Sequence, residues 1–167
     1  MTLDAPITLS DFNLLPAAEA VALLYDICHC RDWAEQMVAA RPYDNLAALL
    51  HSAEQCWRGD EAQLLEAVQG HAKIGDKKAI AAGGKTAREQ GQVASAQSST
   101  LQALAQLNGE YEQKFGFIYL VCASGKSPET LLELLTARLK NTRAQELENA
   151  AAEQAAITRL RLQRLFA

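Results

Sequence analysis

An all-α fold of roughly seven to nine helices is what this sequence predicts, read from its hydrophobic periods and end signals. Three observations point to it. Alanine and leucine are abundant while aromatic residues make up only 6% of the chain, and strand interiors favour β-branched and aromatic side chains. Apolar residues recur at helical spacing. Capping residues, prolines and glycines punctuate the segments where helices begin and stop. The 167 residues fit one compact domain over 1–167. A chain of this length buries roughly 70% of the surface its unfolded form exposes, so it needs no metal or disulfide staple.

Pro16 opens a first helix running to Cys28, with Val21, Leu24, Tyr25 and Cys28 on one stripe. Asp32 and Glu35 have capping-box spacing and open a short helix that stops before Pro42. Asp44 caps a third, with Leu46, Leu49, Leu50 and Ala53 facing inward. Gly59-Asp60 is a stop and a new cap, followed by a helix over Glu61–Val68 with Leu64, Leu65 and Val68 inward. Gly70 to Lys85 lacks a clear period and reads as a functional loop. Helix resumes near Thr86, is interrupted at Ser98-Ser99-Thr100, and continues from Leu101 to about Phe115, where Gly116 ends it. Phe117 to Cys122 has strand propensity but no partner strand, so an extended or helical buried segment is expected. Ser127-Pro128 opens a helix to about Lys140, and Thr142 with Gln145 opens the last, to Phe166.

Sixteen basic and twenty acidic residues leave a net charge of −4, which argues against a sequence-blind nucleic-acid binder. No apolar run approaches the roughly 20 residues that span a bilayer. The first residues carry no basic n-region of a secretory signal, so a cytoplasmic protein with reduced thiols is expected. Cys28-His29-Cys30 invites a metal site, but neighbours one and two apart on a helix face different ways. Partly buried thiols beside a surface histidine are the plainer expectation.

Four clusters bear on chemistry. Gly84-Lys85-Thr86 resembles the end of a phosphate loop, but Ala79 stands where its first glycine belongs and no buried strand precedes it. His71 sits at the mouth of the irregular loop, where an imidazole handles protons near neutral pH or simply follows a helix end. Thr86 and Glu89 fit a capping box, in which neither is catalytic; equally, Glu89 and Gln90 fit an anion site on a first helical turn. Arg159 and Arg161 cannot share a helix face. If one turns inward, it offers a planar fork for a carboxylate, whereas two solvated arginines near a helix end are the commoner case.

The ordered set of His71, Arg88-Glu89-Gln90, Asn108-Gly109-Glu110-Tyr111-Glu112-Gln113-Lys114-Phe115-Gly116-Phe117, Gly125-Lys126-Ser127, Arg138-Leu139-Lys140-Asn141 and Arg161-Leu162 resembles the 2-oxo-4-hydroxy-4-carboxy-5-ureidoimidazoline (OHCU) decarboxylases of urate degradation. The similarity covers nearly the whole chain, including Arg41-Pro42-Tyr43. The resemblance implies an all-α homodimer with no metal and no organic cofactor, which converts OHCU to (S)-allantoin with loss of carbon dioxide. It implies His71 and Glu89 as the catalytic pair. Thr86, Gln90, Arg161 and backbone donors near Val121 would bind substrate. Thr86 stands where many members have serine, Ala72 where the family usually has proline, and Lys73 where other bacterial members tend to have arginine. Proline would fix the backbone beside the histidine, and lysine lacks arginine's bidentate fork. Two other classes compete: a non-enzymatic helical interaction module, and a diverged relative with another substrate.

Overall fold

The computed structural model describes residues 6–71 and 98–166, Ser98 by its backbone alone. Eight α-helices occur among the described residues, and no strand does. They are α1 (Leu9–Leu14), α2 (Ala17–Tyr25), α3 (Arg31–Ala39), α4 (Leu46–Cys56), α5 (Glu61–Val68), α6 (Ser98–Phe115), α7 (Pro128–Arg138) and α8 (Arg143–Leu165). No described helix is long and apolar enough to cross a membrane. The chain divides into two compact units, one formed by residues up to Gly70 with those from Gln154 onward, the other by His71 to Glu153.

The first unit is built on an apolar core. Phe12, Leu24, Trp33, Met37 and Leu49 are fully buried, and Leu162 and Leu165 from α8 join them. The Trp33 indole cannot leave its N–H unpaired when buried, and it donates to the Ala53 carbonyl at 3.1 Å. Ile7 donates its amide to the Leu165 carbonyl, and Phe12 meets Phe166 edge to face at 5.4 Å. The Arg41 guanidinium takes the carbonyls of Phe12 and Leu15, both at 2.8 Å, closing the end of α1.

The second unit is organised by polar groups. Tyr111 and Phe115 of α6 meet Phe117 and Tyr119 of the following segment, with ring centroids 4.5 to 5.8 Å from Tyr111. Gly116 sits at φ +84°, a region that L side chains rarely adopt, and so ends α6. Residues 118–123 then run without helix, turn or bend. Phe117, Tyr119, Leu120 and Val121 are buried, as expected of that apolar run.

Several local expectations need correction. The first long helix ends at Tyr25 rather than Cys28. Its buried positions are Ala20, Leu23 and Leu24, while Val21 and Tyr25 are half-buried. Asp32 is not a cap: Cys30 holds that position, and the Asp32 carboxylate accepts from Gln36, Arg58 and Gln63 instead. Hydrogen bonds from Gln36 and Arg58 hold that carboxyl below its ordinary value. Asn45, not Asp44, caps α4, its Oδ1 accepting from the Ala48 amide at 2.8 Å. Ser98-Ser99-Thr100 is the first turn of α6 rather than an interruption. The helix opened by Ser127 ends at Arg138 instead of near Lys140. The remaining caps stand as expected: Asp60, Ser127, and the reciprocal Thr142–Gln145 box.

Candidate active site

Two of the expected site residues belong to the second unit. His71 opens it and is half-buried. The residue before it is constrained by packing: a Cβ on Gly70 would lie 2.2 Å from Cγ and Nδ1 of His29. Only glycine lets the backbone pass that imidazole, which itself meets the Tyr25 ring edge to face at 4.9 Å. Val121 lies in the segment between α6 and α7, 3% exposed. Thr86, Glu89 and Gln90 lie outside the described residues, as does most of the loop after His71.

Arg161 belongs to the first unit. The two arginines of the last helix do part company. Arg161 is 6% exposed and donates to the Ile27 carbonyl at 3.0 Å. Arg159 lies on the open face, 3.5 Å from Glu54, with half of each side chain in solvent. The helical period explains it: Ile157, Arg161, Leu162 and Leu165 share the buried face of α8. The planar guanidinium fork is thus built into the interior of this unit. A groove in this unit is lined by Leu46, Ala47, Leu50, His51, Glu54 and Arg159, and none of the expected site residues lines it.

The two cysteines flanking His29 are more buried than expected. Cys28 and Cys30 are at most 1% exposed. Burial pushes the Cys28 thiol up to about 12, against the opposing pull of Thr158 and Arg161. A thiol so held is a packing group at neutral pH rather than a nucleophile.

A polar cluster lies behind Val121. Glu146, fully buried, accepts from Arg138 Nε at 2.7 Å, from the Tyr111 hydroxyl at 2.5 Å, from Asn141 at 2.8 Å and from Asn149 at 2.7 Å. Burial alone would raise this carboxyl, but the four hydrogen bonds outweigh it and hold it below its ordinary value. Arg138 lies 4.9 Å over the Tyr119 ring and gives a second N–H to the Leu120 carbonyl at 2.7 Å. That carbonyl belongs to the peptide whose nitrogen is Val121. Tyr111 and Arg138 both fall in the quoted motifs, so a signal existed. Their role was hidden because Glu146 lies 35 residues from Tyr111 in the chain.

The model of the OHCU decarboxylase family matches residues 13–163. The uric acid degradation bifunctional protein TTL of Arabidopsis thaliana is 36% identical over 83% of this chain and 45% of its own length. The 2-oxo-4-hydroxy-4-carboxy-5-ureidoimidazoline decarboxylase of Haloferax volcanii is 23% identical over 96% of each protein. The chain thus spans less than half of the Arabidopsis relative and about a third (32%) of the bifunctional protein PucL of Bacillus subtilis. Among solved structures, that of an OHCU decarboxylase in the presence of (S)-allantoin superposes with a TM-score of 0.74 at 33% identity, covering 85% of this chain and 95% of that one.

Proposed function

The chain belongs to the OHCU decarboxylase family, and on that premise we propose that it is a carboxy-lyase converting OHCU to (S)-allantoin in urate degradation. The family match along residues 13–163 carries the assignment, and the inward turn of Arg161 supports it within this chain. Residues 1–167 act as one OHCU decarboxylase-like domain, as a cytoplasmic homodimer, on a small-molecule substrate and without metal or organic cofactor.

The chemistry asks for four things that these residue types supply. Arg161 holds the substrate carboxylate or another anionic edge. The bond between the ring carbon and the carboxylate breaks, carbon dioxide leaves, and the electron pair passes into the neighbouring ring carbonyl as an enolate. Backbone N–H groups near Val121 stabilise that oxygen, where charge develops in the transition state. Gln90 and Thr86 orient the ureido and ring amide groups. His71 and Glu89 handle the proton that then reaches the ring carbon from one face, which makes one hand of allantoin.

The test generates OHCU in place from urate with urate oxidase and 5-hydroxyisourate hydrolase, and follows near-ultraviolet circular dichroism. Accelerated decay of OHCU to one-handed allantoin is expected. Decay at the spontaneous rate to racemic product would leave a binding module or a relative with another substrate. His71→Ala and Glu89→Ala are each expected to lower turnover by orders of magnitude with the helical signal intact. If Glu89 is merely a cap, its loss costs about 1 kcal/mol of stability and little rate.

A further inference from the structure

Residues 118–123 carry an arrangement beyond the Val121 contact. Two cations each take one of their carbonyls: Arg138 Nη1 holds Leu120 O at 2.7 Å, and Lys126 Nζ holds Cys122 O at 2.8 Å. Both carbonyls belong to trans peptides, since the only cis bond among the described residues is Arg41–Pro42. In a planar trans peptide the C=O and the N–H point opposite ways. Holding Leu120 O therefore aims the Val121 N–H away from Arg138, and holding Cys122 O aims the Ala123 N–H away from Lys126. The segment has no turn or bend, and alternate peptides of a straight run face the same way. The two N–H groups thus form a parallel pair two residues apart. Both residues are buried, and among the described residues neither amide makes a hydrogen bond. A buried amide of this kind requires an acceptor. A positive charge on the carbonyl side also polarises the peptide and strengthens its N–H as a donor.

We infer that Arg138 and Lys126 are positioning residues for the decarboxylation: each holds and polarises a peptide whose N–H, on Val121 and on Ala123, is given to the oxygen of the substrate that becomes the enolate. This rests on the proposed function, and it adds a second donor, Ala123, and the two cations behind the pair. Neither cation touches substrate. Each acts through its own peptide group, on the side opposite the reacting oxygen.

Lys126 is the better residue to test, because it is only half-buried and makes no part of the Glu146 cluster. Removing a whole oxyanion donor costs about 10²–10³ in rate, so losing the charge behind one donor is expected to cost roughly tenfold in kcat. Lys126→Met should lower kcat by about that factor with KM changed less than about twofold, the mark of an interaction made in the transition state. Lys126→Arg should retain most of the rate. In 15N-labelled protein without substrate, the Ala123 amide proton should move upfield in Lys126→Met and return in Lys126→Arg. Lys126→Gln serves as a second neutral variant should the methionine variant fail to fold. A wild-type kcat in a folded neutral variant, whether or not KM rises, would overturn the inference while the decarboxylase assignment stands. A wild-type protein that leaves OHCU at its spontaneous rate would overturn both.

Discussion

At the centre of the first unit lie Trp33, Leu24, Met37 and Leu49, held by apolar contact with one indole hydrogen bond. At the centre of the second lies the Arg138–Glu146 pair, ringed by Tyr111, Tyr119, Asn141 and Asn149. Apolar burial is non-directional, so a core of the first kind accepts any side chain of similar volume. A hydrogen-bonded ion pair is directional, and each member that is lost strands another in low dielectric. The second unit accepts that fragility in return for a segment, residues 118–123, whose backbone is held in one orientation.

The sharpest break of the comparison is Glu146→Leu. It leaves the buried Arg138 without its carboxylate and is expected to cost about 3–5 kcal/mol in urea unfolding. The double variant Arg138→Met, Glu146→Leu should recover much of that loss, since the stranded charge goes too. A double variant no more stable than Glu146→Leu would mean that the pair itself stabilises the fold and that the stranded charge costs little. Met37→Leu in the first unit should cost under about 1.5 kcal/mol. The pH dependence follows from the same cluster. The Glu146 carboxyl sits below its ordinary value of 4.5 when folded. Its contribution is therefore present above 4.5 and lost as pH falls from there through the lower folded value. Acid titration of stability should show this loss in the wild type and not in Glu146→Gln.

Smaller effects test single contacts. Gly70→Ala pushes a methyl into the His29 ring, an overpacking expected to cost about 1–3 kcal/mol. It should also shift His71, so its turnover ought to fall by more than its stability explains. Ser127→Ala removes the cap of α7, and thermal unfolding should register about 1 kcal/mol. The smallest effect at neutral pH belongs to Cys28. Its thiol, ordinarily near 9.0, is raised to about 12 by burial, so the folded state keeps its proton longer than the unfolded chain. Stability from this group is complete below 9.0 and is lost as pH climbs from there towards 12. In native protein a thiol reagent should modify Cys56 and Cys122, which are half-buried, well before Cys28 and Cys30.

Much of the fold was legible because its signals are local. The Asp60 and Ser127 caps, the Thr142–Gln145 box and the glycine stop at Gly116 each act within one turn of chain, and each stands where the sequence put it. Other signals misled. Asp32 had the spacing of a cap, but Arg58 and Gln63 reach it from distant positions and claim its oxygens. The Ser98 to Thr100 run has poor helix propensity, yet it forms the first turn of α6. In the site, periodicity announced that Arg159 and Arg161 must part, but not which would turn inward.

By itself, then, the sequence determined the helical class, several helix ends and, through its ordered motifs, the family; these depend on neighbours within a few residues or on residue order. Tertiary structure alone decided that Arg161 is the inward arginine, that Gly70 must be glycine because His29 lies against it, and that Arg138, Glu146 and Lys126 stand behind the Val121 segment. Such contacts join residues far apart in the chain, where a side chain's partner is set by packing and not by its spacing.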